Sequence, residues 1–232
     1  MMIDCLLQAD LQWLYALNGS NNIFLDQLMA LLTNGLIWIP FYLALFYLII
    51  KNNEDMSQIL LVILCAVGCV LITTIAANFI AKPLVARLRP CSDPAIKYTI
   101  QVVNNMRPGD FSFFSAHAAN TMALAVFICW VVRSRLLGIS MLLWSLLNGY
   151  TRLYLGVHYP SDVLVGFLCG AVVATAVYLL FHKIYYRISQ KLNYISTQYT
   201  STGYANSDIY VVIGVLLFTF VFALMKTAMV IN

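Results

Sequence analysis

Six apolar stretches divide the chain, near residues 28–50, 58–81, 115–132, 136–157, 162–181 and 209–230. Each approaches the roughly 20 residues a helix needs to cross a hydrocarbon core. The pattern predicts an all-α, polytopic membrane bundle of about six transmembrane helices. Ahead of the first run, residues 1–27 mix Leu6, Leu7, Leu11, Leu14, Tyr15 and Leu17 with Gln8, Asp10, Gln12 and Asn18. That mixture predicts an N-terminal amphipathic helix lying in the interface rather than a span. No basic start precedes a short apolar run, so the sequence predicts no signal peptide and the first membrane helix directs insertion. Asn18-Gly19-Ser20 reads as a turn rather than a glycan site. Residues 182–208, rich in Ser, Thr, Tyr and Asn from Tyr186 onward, read as a solvated linker before an extra C-terminal transmembrane helix at 209–230. No internal repeat is visible, and residues 1–232 read as one domain with a core at 28–181.

Composition makes the membrane reading firm. Hydrophobic residues are 62% of the chain and charged residues 9%, against about 25% charged in soluble domains, and the mean hydropathy is +0.85. A soluble globule of 232 residues would have to wet a surface that this chain cannot make polar. The formal charge of +4 is scattered between apolar runs, which excludes a nucleic-acid partner. Six cysteines show no metal-ligand spacing; only Cys5 and Cys91 lie where they can meet outside lipid, and no disulfide is predicted.

Six spans place the N-terminal segment, the 82–114 loop, the 158–161 turn and the C-terminus on one face. The opposite loops carry Lys51, Arg133, Arg135, Lys183, Arg187 and Lys191, while the N-terminal segment has no Lys or Arg. The first face carries as many basic residues, Lys82, Arg87, Arg89, Lys97, Arg107 and Arg152. Three of them have a chemical use, so the opposite loops are expected to be cytoplasmic and both termini outside.

That chemical use emerges from the polar groups gathered at helix ends on the first face: Lys82, Arg87 and Arg89, Ser115 and His117, Arg152, and His158 with Asp162. Any one cation there can simply snorkel to the interface. Two of three histidines falling on one face is harder to explain that way. Lys82, Arg89 and Arg152 around one point make an anion site, and guanidinium groups match phosphate oxygens. Ser115 is placed to cap the third span while the free N–H groups of Ala116 and His117 point at the same anion. Asp162, four residues beyond His158, can orient that imidazole as a nucleophile, and His117 can donate a proton to a leaving oxygen. Three fixed cations repel a divalent ion, so no metal and no cofactor are expected. Arg87 reads as facing away from Arg89 on a helix, an interfacial residue, and Lys97 and Arg107 as loop cations with a headgroup role or none.

Lys82-Pro-Leu-Val-Ala-Arg-Leu-Arg89-Pro90, Ser115-Ala-His117 and Arg152-Leu-Tyr-Leu-Gly-Val-His158-Tyr-Pro-Ser-Asp162 resemble, in order and spacing, the three-part signature of type-2 phosphatidic acid phosphatases. The motif segments are 82–90, 115–117 and 151–162. The resemblance implies a metal-independent membrane lipid phosphatase. In it His158 forms a phosphohistidine, Asp162 orients it, His117 protonates the leaving group, and Lys82, Arg89, Arg152, Ser115 and Ala116 hold the phosphoryl group. Phe114 and Ala116 stand where the family has Pro and Gly, and Thr151 where it has Ser. Ala116 is tolerable if its φ is negative. The resemblance further implies a lipid phosphate substrate, lipid A phosphate or undecaprenyl diphosphate ahead of phosphatidylglycerol phosphate and phosphatidic acid, and a bacterial inner membrane with the site facing the periplasm. The competing class, a transporter or binding protein for a phosphorylated solute, would place its polar groups near mid-membrane and repeat its topology; this chain does neither. Oligomeric state is not legible.

Overall fold

The computed structural model describes residues 2–109, 111–188 and 197–231, with side chains from residue 7 to 187 and from 197 to 230 within those limits. Among the described residues the secondary structure is helical, and the only β feature there is an isolated bridge between Tyr199 and Ala205. The helices are α1 (Met2–Leu17), α2 (Ile23–Leu32), α3 (Ile39–Lys51), α4 (Met56–Ile75), α5 (Lys82–Val85), α6 (Ala116–Val132), α7 (Arg135–Tyr154), α8 (Pro160–Ile188) and α9 (Asn206–Ile231). A π-helical segment, Ala76–Ala81, joins α4 to α5.

Among the described residues three helical stretches are long and apolar enough to cross a membrane: Met56–Val85, Pro160–Arg187 and Asn206–Val230. The span expected at 28–50 is instead two helices, α2 and α3, bent by 66°. The break has local causes. Asn34 accepts from the Leu36 N–H at 3.0 Å, the Trp38 indole donates to Leu32 O at 2.9 Å, and Pro40 stands at the start of α3. These groups satisfy the backbone that a continuous helix would have used. Counting the bent pair as one gives up to four spans. The 17-residue α6 covers about 25 Å, short of a hydrocarbon core of about 30 Å. α8 also continues to Ile188, into the segment read from sequence as linker, of which 189–196 lie outside the described residues.

The inside and outside of the bundle differ in chemistry less than in packing. Leu64, Leu168 and Phe218 are 58%, 67% and 68% exposed, which suits lipid and not water. The core sets Trp38 edge-on to Trp144 at 5.8 Å, with Phe41, Phe127, Leu137 and Met141 fully buried around them. The central α6 is buried along most of its length and, beyond the first turns that carry His117, Asn120 and Thr121, is apolar around its circumference. α8 reaches it closely because of glycine. A Cβ on Gly170 would lie 2.3 Å from Ala119 O, and one on Gly166 2.7 Å from Ser115 O, so this small-xxx-small face lets two backbones touch. α9 docks on α3 through Asp208, which accepts from Lys51 Nζ and Asn52 Nδ2, both at 3.0 Å.

Candidate active site

The turn between α7 and α8 presents the first candidate residue. Gly156 adopts φ +66°, and a Cβ there would fall 2.4 Å from Ile100 Cγ2, so both conformation and space require glycine. The chain reverses and buries His158, 3% exposed. One ring nitrogen, Nε2, stands 3.2 Å from Arg89 Nη1, which also donates to Val157 O at 3.1 Å. The other, Nδ1, faces Asp162 Oδ2 at 3.5 Å. A carboxylate opposite Nδ1 favours the proton on that nitrogen and leaves the Nε2 lone pair for the Arg89 N–H. Burial pushes the His158 pKa down to about 4, helped by the charges of Arg152 and Arg89 and opposed by Asp162. The ring is therefore neutral at neutral pH, as a nucleophile requires.

Asp162 is fully buried and held at both oxygens. Oδ2 accepts the Tyr159 N–H at 3.0 Å, closing the first turn of α8. Oδ1 accepts Arg87 Nη1 at 3.0 Å. Arg87 thus does not face away as an interfacial residue: α5 ends at Val85, Ala86 turns left-handed, and the chain redirects Arg87 inward. Its guanidinium lies 3.6 Å from the centre of the Tyr159 ring, and Nη2 donates to Asp10 Oδ2 at 2.6 Å. Asp10 was expected only as a polar interruption of an interfacial helix. It shares the buried face of α1 with fully buried Leu14, four residues on, and that periodicity was the available signal.

Two of the three expected cations reach His158, Arg89 by contact and Arg152 by its charge. Arg89 and Lys82 are buried, and Lys82 Nζ donates to Asn78 Oδ1 at 2.7 Å within the π-helical segment. Arg152 donates to Thr33 Oγ1 at 2.7 Å, stands close enough for its charge to act on both His117 and His158, and keeps its Nε without a hydrogen-bond partner among the described residues. Ser115 caps α6, its Oγ accepting from Ala118 N at 3.4 Å, and its own N–H donates to Asp162 O at 3.0 Å. Ala116 is absent from the positive-φ residues, so its methyl is unstrained. His117 Nε2 lies 3.3 Å from Asn148 Oδ1, and Asn148 is fixed by its bond to Trp144 O. Arg107 donates to Cys91 O at 2.7 Å and so folds the 90–114 loop, while Lys97 lies over the Tyr98 ring. Cys91 is free, and the side chain of Cys5 lies outside those described. Among the described residues no three His, Cys, Asp or Glu converge as a metal set.

His117 also lines an apolar cavity of about 480 Å³ that the sequence did not reveal. Its walls come from α3 (Tyr42, Phe46), α4 (Ala66, Val67, Val70, Leu71), α6 and Trp144 of α7. His117, Asn120 and Thr121 form its polar end, where Asn120 Oδ1 accepts from Thr73 Oγ1 at 2.6 Å.

The motifs and the helices that carry them recur in known proteins. The sequence profile of the PAP2 superfamily matches residues 59–186. A lipid A 4'-phosphatase of Bacteroides thetaiotaomicron is 36% identical over 188 residues, covering 81% of this chain and 83% of that one. A lipid A 4'-phosphatase of Porphyromonas gingivalis is 28% identical, with 89% and 86% covered. The undecaprenyl-diphosphatase BcrC of Bacillus subtilis is 26% identical, with 71% and 78% covered. A crystal structure of a transmembrane PAP2-type phosphatidylglycerolphosphate phosphatase from Bacillus subtilis superposes with a TM-score of 0.56 at 23% identity, over 80% of this chain and 89% of that one. With the profile covering more than half its length and a lipid phosphatase 36% identical over four-fifths of it, the chain belongs to the PAP2 superfamily and is one of its integral-membrane phosphatases.

Proposed function

We propose that this phosphatase removes a phosphate monoester from a lipid at the outer, periplasmic face of a bacterial inner membrane, with lipid A phosphate as its substrate. The observation that carries the lipid reading is that His117 joins two halves: the Arg152 charge, which also reaches His158, and an apolar cavity between α3, α4, α6 and α7. A phosphate ester with a long apolar leaving group fits both halves. Lipid A stands first because two lipid A 4'-phosphatases align over more than four-fifths of their length. Undecaprenyl diphosphate stands second on the BcrC likeness. The outer face rests on charge: Lys51, Arg133, Arg135, Lys183 and Arg187 lie at the opposite ends of the helices, where the positive-inside rule puts cytoplasm.

In the mechanism, substrate oxygens take Arg89, Arg152, Lys82 and the N–H groups at the α6 start, which releases Nε2 of His158 from the Arg89 N–H. The Nε2 lone pair attacks phosphorus. A P–N bond forms as the P–O bond to the lipid breaks; the leaving oxygen keeps the bonding pair and takes a proton from His117. Asp162 balances the charge that appears on the imidazole. Water, its proton drawn by His117, then attacks the phosphohistidine and releases phosphate. The fixed cations meet the charge that spreads over the equatorial oxygens.

The test is phosphate release by detergent-purified protein in excess EDTA, offered lipid A, undecaprenyl diphosphate and phosphatidic acid beside a His158→Ala variant. Release that survives EDTA, favours lipid A and vanishes in the variant is expected. Preference for the diphosphate moves the assignment to that lipid. No release from any of the three by folded protein overturns the enzyme reading in favour of solute binding or transport.

A further inference from the structure

Arg87 is held between two carboxylates from different parts of the chain. Nη1 donates to Asp162 Oδ1 at 3.0 Å and to Ser161 Oγ at 2.8 Å; Nη2 donates to Asp10 Oδ2 at 2.6 Å. Asp10, in turn, accepts the Ser161 N–H at 2.8 Å and the Ser161 hydroxyl at 2.6 Å. Asp10 therefore acts on the first turn of α8 twice, once on its backbone and once through the cation bound to its carboxylate. The guanidinium cannot swing aside, because the Tyr159 ring stacks beneath it and the Tyr159 hydroxyl is tied to Asp93 at 3.2 Å.

We propose that Asp10 of α1 is a positioning residue for the phosphatase reaction, acting through Arg87 to fix the plane of the Asp162 carboxylate and to draw off part of the cation's charge. The inference rests on the His158 mechanism above. A guanidinium facing Asp162 alone would neutralise the carboxylate that must balance charge on the imidazole. Facing two carboxylates, it leaves Asp162 more of its negative charge and still locks its orientation through a bond at each end. α1 then belongs to the catalytic apparatus instead of being only a membrane-surface helix.

The charges facing His158 directly are Asp162 at the start of α8, Arg89 in the segment after α5, and Arg152 on α7; Asp10 and Arg87 form the next layer. Removing the Asp10 charge makes the potential at His158 more positive. The imidazole then protonates less readily, so the acidic limb of activity moves to lower pH while the nucleophile weakens.

The experiment measures release of p-nitrophenol from p-nitrophenyl phosphate by the detergent-purified full chain and its Asp10→Asn, Asp10→Glu and Arg87→Lys variants, with melting temperatures taken in parallel. For Asp10→Asn the expected result is a fall in kcat of about tenfold, an unchanged KM, an acidic limb of kcat/KM displaced to lower pH, and a melting temperature close to the parent's. Asp10→Glu, which restores the charge, is expected to return the limb toward the parent position. Asp10→Asn with parental kcat and limb overturns the proposal, as does a loss of kcat that leaves the limb in place and follows a fall in melting temperature. A parent protein that releases nothing from p-nitrophenyl phosphate or the lipids tells against the phosphatase mechanism itself.

Discussion

Ser115 and Asp162 meet backbone to backbone: the Ser115 N–H donates to the Asp162 carbonyl at 3.0 Å. The start of α6 and the start of α8, which carry His117 and the His158–Asp162 pair, are thereby fixed to one another. Beyond this bond, Gly166 and Gly170 let α8 lie directly against the α6 backbone. Replacing Gly170 with alanine puts a methyl 2.3 Å from Ala119 O, where the obstacle is backbone. Overpacking of this kind costs about 1–3 kcal/mol. Gly170→Ala is expected to lower the melting temperature and reduce phosphate release together, whereas Gly214→Ala, where a Cβ meets nothing within 4 Å, leaves both near parental values. Thermal melts beside activity measurements check the pair.

His158 gives the protein a defined response to acid. Its pKa is pushed down to about 4 in the fold, chiefly by burial, and returns to about 6.5 when the chain unfolds. Between those values the unfolded state binds a proton that the folded state refuses, so stability falls as pH drops from about 6.5 toward 4 and is complete above that range. Activity follows a different window: because the neutral ring persists to about pH 4, the His158 limb of kcat/KM is expected well below 6.5. Melting temperatures and kcat/KM measured from pH 4 to 8, with His158→Gln as the stability control, check both signs. A variant with the same slope of stability against pH as the parent would assign the acid response to other groups.

What the sequence displayed was local and periodic. The spacing from Arg152 through His158 to Asp162 places a turn and a helix start in one short stretch, and Ser115 is a cap by residue type, so these residues were legible before their neighbours were known. Arg87 was misread because positions two apart face opposite ways only if the segment is a helix; the left-handed turn at Ala86 changes the direction of both. Its bond to Asp10 joins residues 77 positions apart, a distance no periodicity encodes. The bend between α2 and α3 was equally hidden. Trp38 and Pro40 sit inside an apolar run, and only the bond from the indole to Leu32 O shows why the helix ends there. The cavity is a gap between four helices, and a sequence has no sign for a gap.

Sidedness is open to a direct check on the segment after α8. Ser201 is exposed in the turn that the Thr200 N–H closes on Tyr204 O at 2.8 Å, and the adjoining Ala205 N–H donates to Asn52 Oδ1 at 2.7 Å, at the C-terminal end of α3. With the site facing the periplasm, a cysteine placed by Ser201→Cys is expected to resist a membrane-impermeant maleimide applied to intact spheroplasts and to react once the membrane is opened. Labelling in the intact preparation would reverse the orientation. Lys51, Arg133 and Arg135 would then lie outside, against the usual bias of basic loops.

The cavity predicts a division between substrates by their leaving groups. Ala66 and Val70 line it from α4, opposite Leu124 of α6, and neither belongs to the charged pocket around His158. Phenylalanine at either position fills space that a lipid chain would occupy and leaves the cations and the imidazoles in place. If His117 hands its proton to an oxygen whose apolar remainder lies in this cavity, Ala66→Phe and Val70→Phe should raise KM for a long-chain lipid phosphate by about tenfold or more, since each buried CH₂ displaced is worth about 0.8 kcal/mol. Hydrolysis of p-nitrophenyl phosphate, which has no chain to place there, should stay within about twofold of the parent. Parallel losses on both substrates, with melting temperatures preserved, would mean that the lipid chain lies elsewhere and that the substitutions act through the position of His117.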